Sequence, residues 1–269
     1  VVDDCSNSRK ENVPKEATFI KADLLEEKIY QEISNISFDA VFHLAAQSSG
    51  ALSFKDPMAD MKSHLYITFS LLALSLTKKV SRFMFPSSTT VYGDTKNLPV
   101  DEGCPQNPKT YYATGKLACE KYVRFFFGQG LPTTVLRLPN VYGPGQICTG
   151  PMATVVGIFE HHYKLKKPLP VVKPGTQTRR FTHIHDTVEI CYQAWKRKLC
   201  RHYSIANHKS YSILDVAKMF NTRIRYLPKR PGERYASALT NKNLSNKVYK
   251  HFGKVELKDY IRDFLLNNY

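Results

Sequence analysis

Arg82-Phe-Met-Phe85 is a short apolar run that opens directly into Pro86-Ser-Ser-Thr-Thr-Val-Tyr-Gly93, a stretch dense in hydroxyls. An apolar run of this length, bounded by polar punctuation, reads as a buried parallel strand. Thr18 to Lys21, Ala40 to His43 and Thr133 to Arg137 have the same character. Between these runs, Leu24 to Ser34, Asp56 to Lys78 and Tyr112 to Phe127 have the length and apolar spacing of helices. The alternation predicts an α/β fold built on a doubly wound parallel sheet. Ligands bind such sheets at the carboxyl ends of the strands, which is where Ser87-Ser-Thr-Thr90 would stand. After Tyr142-Gly-Pro-Gly145 the pattern breaks into shorter pieces punctuated by prolines, as in Lys167-Pro-Leu-Pro170 and Lys173-Pro-Gly175. Residues 1–145 are therefore expected to form the sheet domain. Residues 146–269 are expected to form a smaller region, with some segments returning to the first.

The chain has 269 residues, enough for one large domain or two small ones. With 42% hydrophobic and 23% charged residues, its composition is globular and argues against a collagen-like repeat or a coiled coil. The longest mostly apolar run, Leu65 to Leu76, contains Thr68, Ser70 and Ser75 and falls short of the roughly 20 residues that span a bilayer. Val1-Val-Asp-Asp-Cys5 lacks the pattern of a secretory signal, so the expected location is the cytoplasm, away from membranes. Six scattered cysteines show no C-x-x-C spacing, so reduced thiols and no metal site are expected. The formal charge of +16 admits either a nucleic-acid partner or a lysine-rich solvated surface. Lys164 to Lys167 and Lys196 to Arg201 are short and lack interleaved aromatics, so no nucleic-acid partner is expected and anionic small substrates suit the charge.

Tyr112-Ala-Thr-Gly-Lys116 places a phenol and an ammonium at i and i+4, on one helix face. A nearby cation favours phenolate, which moves a tyrosine towards acting as a general base. Alone, the spacing is weak and arises often by chance, and a packed tyrosine with a surface lysine is much the commoner outcome. The hydroxyl-rich strand end upstream tips the reading towards chemistry.

With these segments in place, the sequence resembles the extended short-chain dehydrogenase/reductase family, especially its NAD-dependent nucleotide-sugar epimerases typified by UDP-glucose 4-epimerase. The resemblance rests on Phe38-Asp-Ala-Val-Phe-His-Leu-Ala-Ala46, Ser87-Ser-Thr-Thr-Val-Tyr-Gly93, Tyr112 with Lys116, Leu136-Arg-Leu-Pro-Asn-Val-Tyr-Gly-Pro144, Arg179-Arg-Phe-Thr-His-Ile-His-Asp186 and Arg230-Pro-Gly-Glu233. It implies a Rossmann-type sheet with a C-terminal substrate region, NAD as cofactor, a UDP-sugar as substrate and a homodimer built on the helices around Lys62 to Lys78 and Tyr112 to Phe127.

The resemblance also assigns roles. Ser88 matches the catalytic hydroxyl residue, Tyr112 the base, and Lys116 the lysine that binds the nicotinamide ribose and lowers the tyrosine pKa. Asp3 matches the acid on the adenosine ribose, although an exposed N-terminal carboxylate would look the same. Asp23 with Leu24 matches the adenine contact, and Leu44-Ala45-Ala46 and Pro139 lie along the cofactor. His64 stands where the family has an asparagine near the cofactor. Asn140, Arg179 and Arg230 match the positions that hold the substrate diphosphate, work to which the planar guanidinium fork is suited. Glu233 matches a uridine-ribose contact, or is an exposed glutamate after a turn. Arg180 replaces an acid in the family triplet.

The same fold hosts epimerases, dehydratases and decarboxylases. Related dehydratases carry Asp-Glu where this chain has Thr89-Thr90, and a threonine supplies neither acid nor base at neutral pH. The expected reaction is therefore C4 epimerisation through a 4-keto sugar. A uronate epimerase, a dehydratase, a reductase or a non-catalytic NAD- or sugar-nucleotide-binding protein are the alternatives. Only two residues precede Asp3, so the family's first strand, glycine-rich turn and first helix are absent from the chain as given. The expectation is a fragment of a longer reading frame, or a gap filled by rearrangement or by another chain.

Overall fold

The computed structural model describes residues 1–94, 104–197, 202–204, 207, 209–229 and 254–268. Four strands form one parallel sheet in the order β3-β4-β5-β9: β3 (Ala40–Phe42), β4 (Arg82–Ser88), β5 (Thr133–Leu138) and β9 (His202–Ser204). Every residue of β4 is buried, as a strand covered on both faces requires. The strand runs three residues beyond the apolar run that predicted it and carries Pro86, Ser87 and Ser88 to its carboxyl end. Proline is tolerated there because β3 pairs only with Arg82 to Met84 and has ended before Pro86.

Helices cover this sheet. In α1 (Glu27–Ser34), Ile29 and Ile33 lie one turn apart and are both buried. The stretch expected as one helix from Asp56 to Lys78 is three pieces: α2 (Pro57–Met61), a single wide π turn over Lys62–Tyr66, and α3 (Ile67–Thr77). Asp56 caps α2 by accepting from the Ala59 N–H, and Pro57 takes the first helical position, where its missing N–H costs nothing. Helix α4 (Tyr111–Gly128) starts at Thr110, whose hydroxyl accepts from the Ala113 N–H at 3.0 Å. Helix α6 (Ile184–Lys196) packs Ile190 and Ala194 on Met84 and Leu136 of the sheet.

The short strands β1 (Val2–Asp3) and β2 (Ile20–Lys21) pair in parallel with each other and are not hydrogen-bonded to β3. Val2, Ile20 and Val41 nevertheless pack on the same apolar cluster, so both pieces of the sheet share one core.

A second core gathers Tyr142, Phe159, Leu169, Phe181, Val216, Phe220 and Ile261. Around it stand the three-stranded sheet β10-β8-β6 (Ser210–Ser212, Thr178–His183, Asn140–Tyr142) and the parallel pair β7 (Leu169–Val172) with β11 (Ile224–Leu227). Helices α5 (Val155–Lys164), α7 (Ile213–Met219) and α8 (Leu257–Leu266) complete it. Ser212 and Asp215 form a reciprocal capping box at the start of α7. Strand β6 begins two residues after β5 ends, so the chain crosses between the two cores at Pro139. No helix among the described residues is long and apolar enough to cross a membrane.

Candidate active site

The carboxyl end of β4, the first turn of α4 and the β5–β6 crossing meet at a cavity of about 490 Å³. Ser88, Tyr112, Pro139, Asn140 and Arg179 all line it, so residues far apart in sequence converge on one space. Ser88 is the last residue of β4, and its Oγ accepts from the Thr90 N–H at 3.2 Å and from the Thr90 hydroxyl at 2.9 Å. Thr89 and Thr90 are on the cavity wall beside it. Tyr112 enters from the second position of α4, which the Thr110 cap fixes.

Lys116 lies one turn further along α4, enclosed beneath the cavity rather than on its wall. Its ammonium donates to the Pro86 carbonyl at 3.0 Å and sits 5.0 Å from the centre of the Phe85 ring. Burial pushes its pKa down to about 8, opposed by the nearby Cys119, Asp60 and Glu120. Asn140 donates to the Arg180 carbonyl at 3.1 Å, and Arg179 Nη1 donates to the Thr178 carbonyl at 2.8 Å. Arg180 turns away from the cavity and donates to the Asn207 carbonyl at 2.6 Å. Arg230 and Glu233 lie outside the described residues.

A second cavity, of about 360 Å³, runs along the carboxyl ends of β1, β2 and β3. Asp3, Asp23, Leu24, Leu44, Ala45 and Ala46 line it. Asp3 uses Oδ1 to accept from the Cys5 N–H at 2.7 Å and the Ser8 hydroxyl at 2.6 Å, which leaves Oδ2 for a ribose hydroxyl. Asp23 Oδ1 accepts from the Leu25 N–H at 2.8 Å, a bond that holds the turn in place beside Leu24. These residues fit the adenosine half of a dinucleotide, and Ser48 and Met152 line both cavities and join them. No glycine lines the second cavity among the described residues, so it offers no glycine-rich turn to receive a pyrophosphate.

His64 lines neither cavity. It is buried, with its ring centre 5.3 Å from that of Tyr112 and the two rings edge-to-face. Sequence reasoning missed Lys109, on the wall of the first cavity, and the network beneath its floor. There Glu120 takes two bonds from Arg137, Nε at 2.8 Å and Nη2 at 2.6 Å, and a third from the Ser87 hydroxyl at 2.6 Å. Arg137 Nη1 also donates to Tyr92 Oη at 2.6 Å.

Comparison with known proteins places this geometry. The chain resembles the UDP-glucose 4-epimerase of Thermotoga maritima, solved with UDP-glucose, with a TM-score of 0.91 and 27% identity over 98% of this chain and 88% of that one. It resembles the Thermus thermophilus UDP-glucose 4-epimerase, solved in complex with NAD, with a TM-score of 0.89 and 25% identity over 99% and 89%. The dTDP-D-glucose 4,6-dehydratase of Bos taurus is 30% identical over 205 residues, 74% of this chain, and the match spans 56% of that protein's length. The model of the NAD dependent epimerase/dehydratase family matches residues 1–206. With NAD as its cofactor and a Rossmann-type sheet beneath its site, the chain belongs to the NAD dependent epimerase/dehydratase family.

Proposed function

We propose that the protein epimerises C4 of a UDP-sugar, UDP-glucose/UDP-galactose or the N-acetylated pair. The observation that carries this reading is the end of β4, where the residues after Ser88 are threonines and Thr90 is engaged as a hydrogen-bond donor to Ser88. Elimination of water needs an acid and a base beside the sugar, and neither threonine supplies one. Epimerisation needs only a base at the 4-hydroxyl and a donor to the reacting oxygen. In this reading Tyr112 accepts the 4-hydroxyl proton, Lys116 stabilises the phenolate, and Ser88 hydrogen-bonds the oxygen. Asn140, Arg179 and Arg230 hold the diphosphate, and Glu233 the uridine ribose. NAD supplies the hydride acceptor; Asp3, Asp23 and Leu24 hold its adenosine, with Leu44, Ala45, Ala46 and Pro139 along its length.

The test is incubation with UDP-glucose and with UDP-N-acetylglucosamine, followed by proton NMR. The 4-epimer without net NADH is expected, and a 4-keto-6-deoxy product would refute the reading. One observation favours a second reading, a uronate epimerase. Lys109 and Arg179 are the charged residues on the described wall of the substrate cavity, and no carboxylate stands among them. A sugar with a carboxylate near C4 would answer the Lys109 charge, and preferential turnover of UDP-glucuronate would establish that reading. The five described cysteines are free thiols, which suits a reducing cytoplasm. Exposed aromatic side chains on α3 and α4 support a homodimer through those helices.

A further inference from the structure

His64 is buried at 1% exposure in the one wide turn between α2 and α3, and wide turns of this kind recur at functional sites. Its socket is made by α4. A Cβ on Gly115 would stand 3.2 Å from His64 Cδ2, tighter than an ordinary contact, so the glycine lets the imidazole lie close against α4. The Cys119 thiol donates to the His64 carbonyl at 3.4 Å and fixes the turn from the next turn of α4. The ring packs edge-to-face with that of Tyr112. Behind it, Nε2 lies 3.5 Å from Asp60 Oδ1 and makes no hydrogen bond at that distance. Asp60 is 2% exposed and takes a 2.6 Å bond from Gln47 Nε2, and Gln47 also holds the Ser49 N–H and carbonyl.

We propose that His64, backed by Asp60, is a positioning residue for the base: the imidazole sets the direction of the Tyr112 ring so that its phenol stays aimed at the substrate cavity. The inference rests on Tyr112 being the base and adds how this chain holds it. A ring packed edge-to-face with Tyr112 limits the swing of the phenol about its side-chain bonds. The charged and titratable groups facing the imidazole are Asp60 from α2, Tyr112, Lys116 and Cys119 from α4, and His43 just after β3. Burial, with a smaller push from Lys116, holds His64 below its ordinary pKa against the pull of Asp60, so the ring is neutral at pH 7. A neutral imidazole with its proton on Nε2 can donate to Asp60 after a small shift. Contacts that are long without substrate commonly tighten in the reacting complex.

The experiment compares parent, His64→Ala and Asp60→Asn, each as the full chain. For His64→Ala, kcat is expected to fall about tenfold or more, the scale of a misdirected reacting group, while the KM for the UDP-sugar stays within about twofold. Added imidazole should recover part of kcat. Asp60→Asn should show the same split with a smaller loss. A loss confined to KM, or an unchanged kcat, overturns the proposal. A second readout does not depend on turnover. In ¹³C-tyrosine-labelled protein, the ring resonances of Tyr112, identified by their disappearance in Tyr112→Phe, should shift or broaden in His64→Ala, and unmoved resonances overturn the proposal. If the parent turns over no UDP-sugar, the proposed function fails and the resonances still decide the role of His64. Should the alanine variant not fold, His64→Asn, which keeps a polar side chain in the socket, takes its place in both measurements.

Discussion

A lysine that must lend its charge to a neighbouring phenol has to be near it and has to keep its proton. Lys116 is fully enclosed, satisfied by the Pro86 carbonyl, and its pKa is pushed down by burial to about 8. The sign follows directly. In the proposed reading, the ammonium present below about pH 8 is what favours phenolate at Tyr112, and that help is lost as pH rises through the lysine's value. The kcat profile of the proposed 4-epimerase is therefore expected to fall on its alkaline side with an apparent pKa near 8. Tyr112→Phe should lower kcat about 10²-fold or more with little change in UDP-sugar affinity. Activity within a fewfold of the parent would remove Tyr112 from the role. The i, i+4 spacing, read together with the hydroxyl-rich strand end and the family resemblance, brought this pair out of the sequence. The acceptor for the ammonium was not legible, because Pro86 is 30 residues away and its carbonyl is available only where β3 has ended. His64 shows the converse: its position in the motif read as a cofactor contact, whereas the wide turn carries the ring behind Tyr112.

Between elements, the floor of the site is held by a buried ion pair. Glu120 and Arg137 are 1% and 0% exposed, and their bonds tie α4 to β5, to Ser87 on β4 and to Tyr92 in the turn after it. Ser87 neighbours Ser88, and Glu120 is one turn beyond Lys116, so the pair sets the distance between the strand end and the helix that carries Tyr112. Breaking such a pair leaves a buried charge without compensation, typically at a cost of about 3–5 kcal/mol. Glu120→Gln is expected to lower unfolding stability by that order in urea titration. The double variant Glu120→Leu/Arg137→Met should recover much of it. A loss under about 1 kcal/mol for the single variant would show that the pair is a poor bolt. Sequence reasoning found α4 to within a residue at each end and β5 to within one, because their apolar periods are clean. The partnership of Glu120 with Arg137 was hidden, since on each element the charged residue reads as an interruption of the apolar pattern. The short strands of the second core were hidden too. Most are three or four residues long, and such runs carry too few alternations to distinguish strand from loop.

For the molecule as a whole, apolar surface and net charge oppose each other. Phe69 on α3 and Tyr122, Phe125 and Phe127 on α4 are between 42% and 61% exposed, although Phe69 already packs edge-on against Tyr122 and Phe126. Four large aromatics on two neighbouring helices form a surface that a monomer has reason to cover. A second copy is the occupant consistent with the reading of the sequence, in which these same helices carry the homodimer. Association has to overcome the repulsion between two chains that each carry +16, a term that salt screens over about 8 Å at physiological ionic strength. Sedimentation velocity is therefore expected to show a dimer whose population rises as salt is raised from low to physiological strength, the reverse of an assembly held by ion pairs. Phe125→Glu introduces a carboxylate at the most exposed of the four positions, where the ring stands mostly in solvent and an edge-on contact with Phe126 is what the monomer would lose. It should give monomers with an unfolding midpoint close to the parent's when both forms are compared at low protein concentration. A dimer that survives this substitution, or one that dissolves as salt is added, would place the interface on another face.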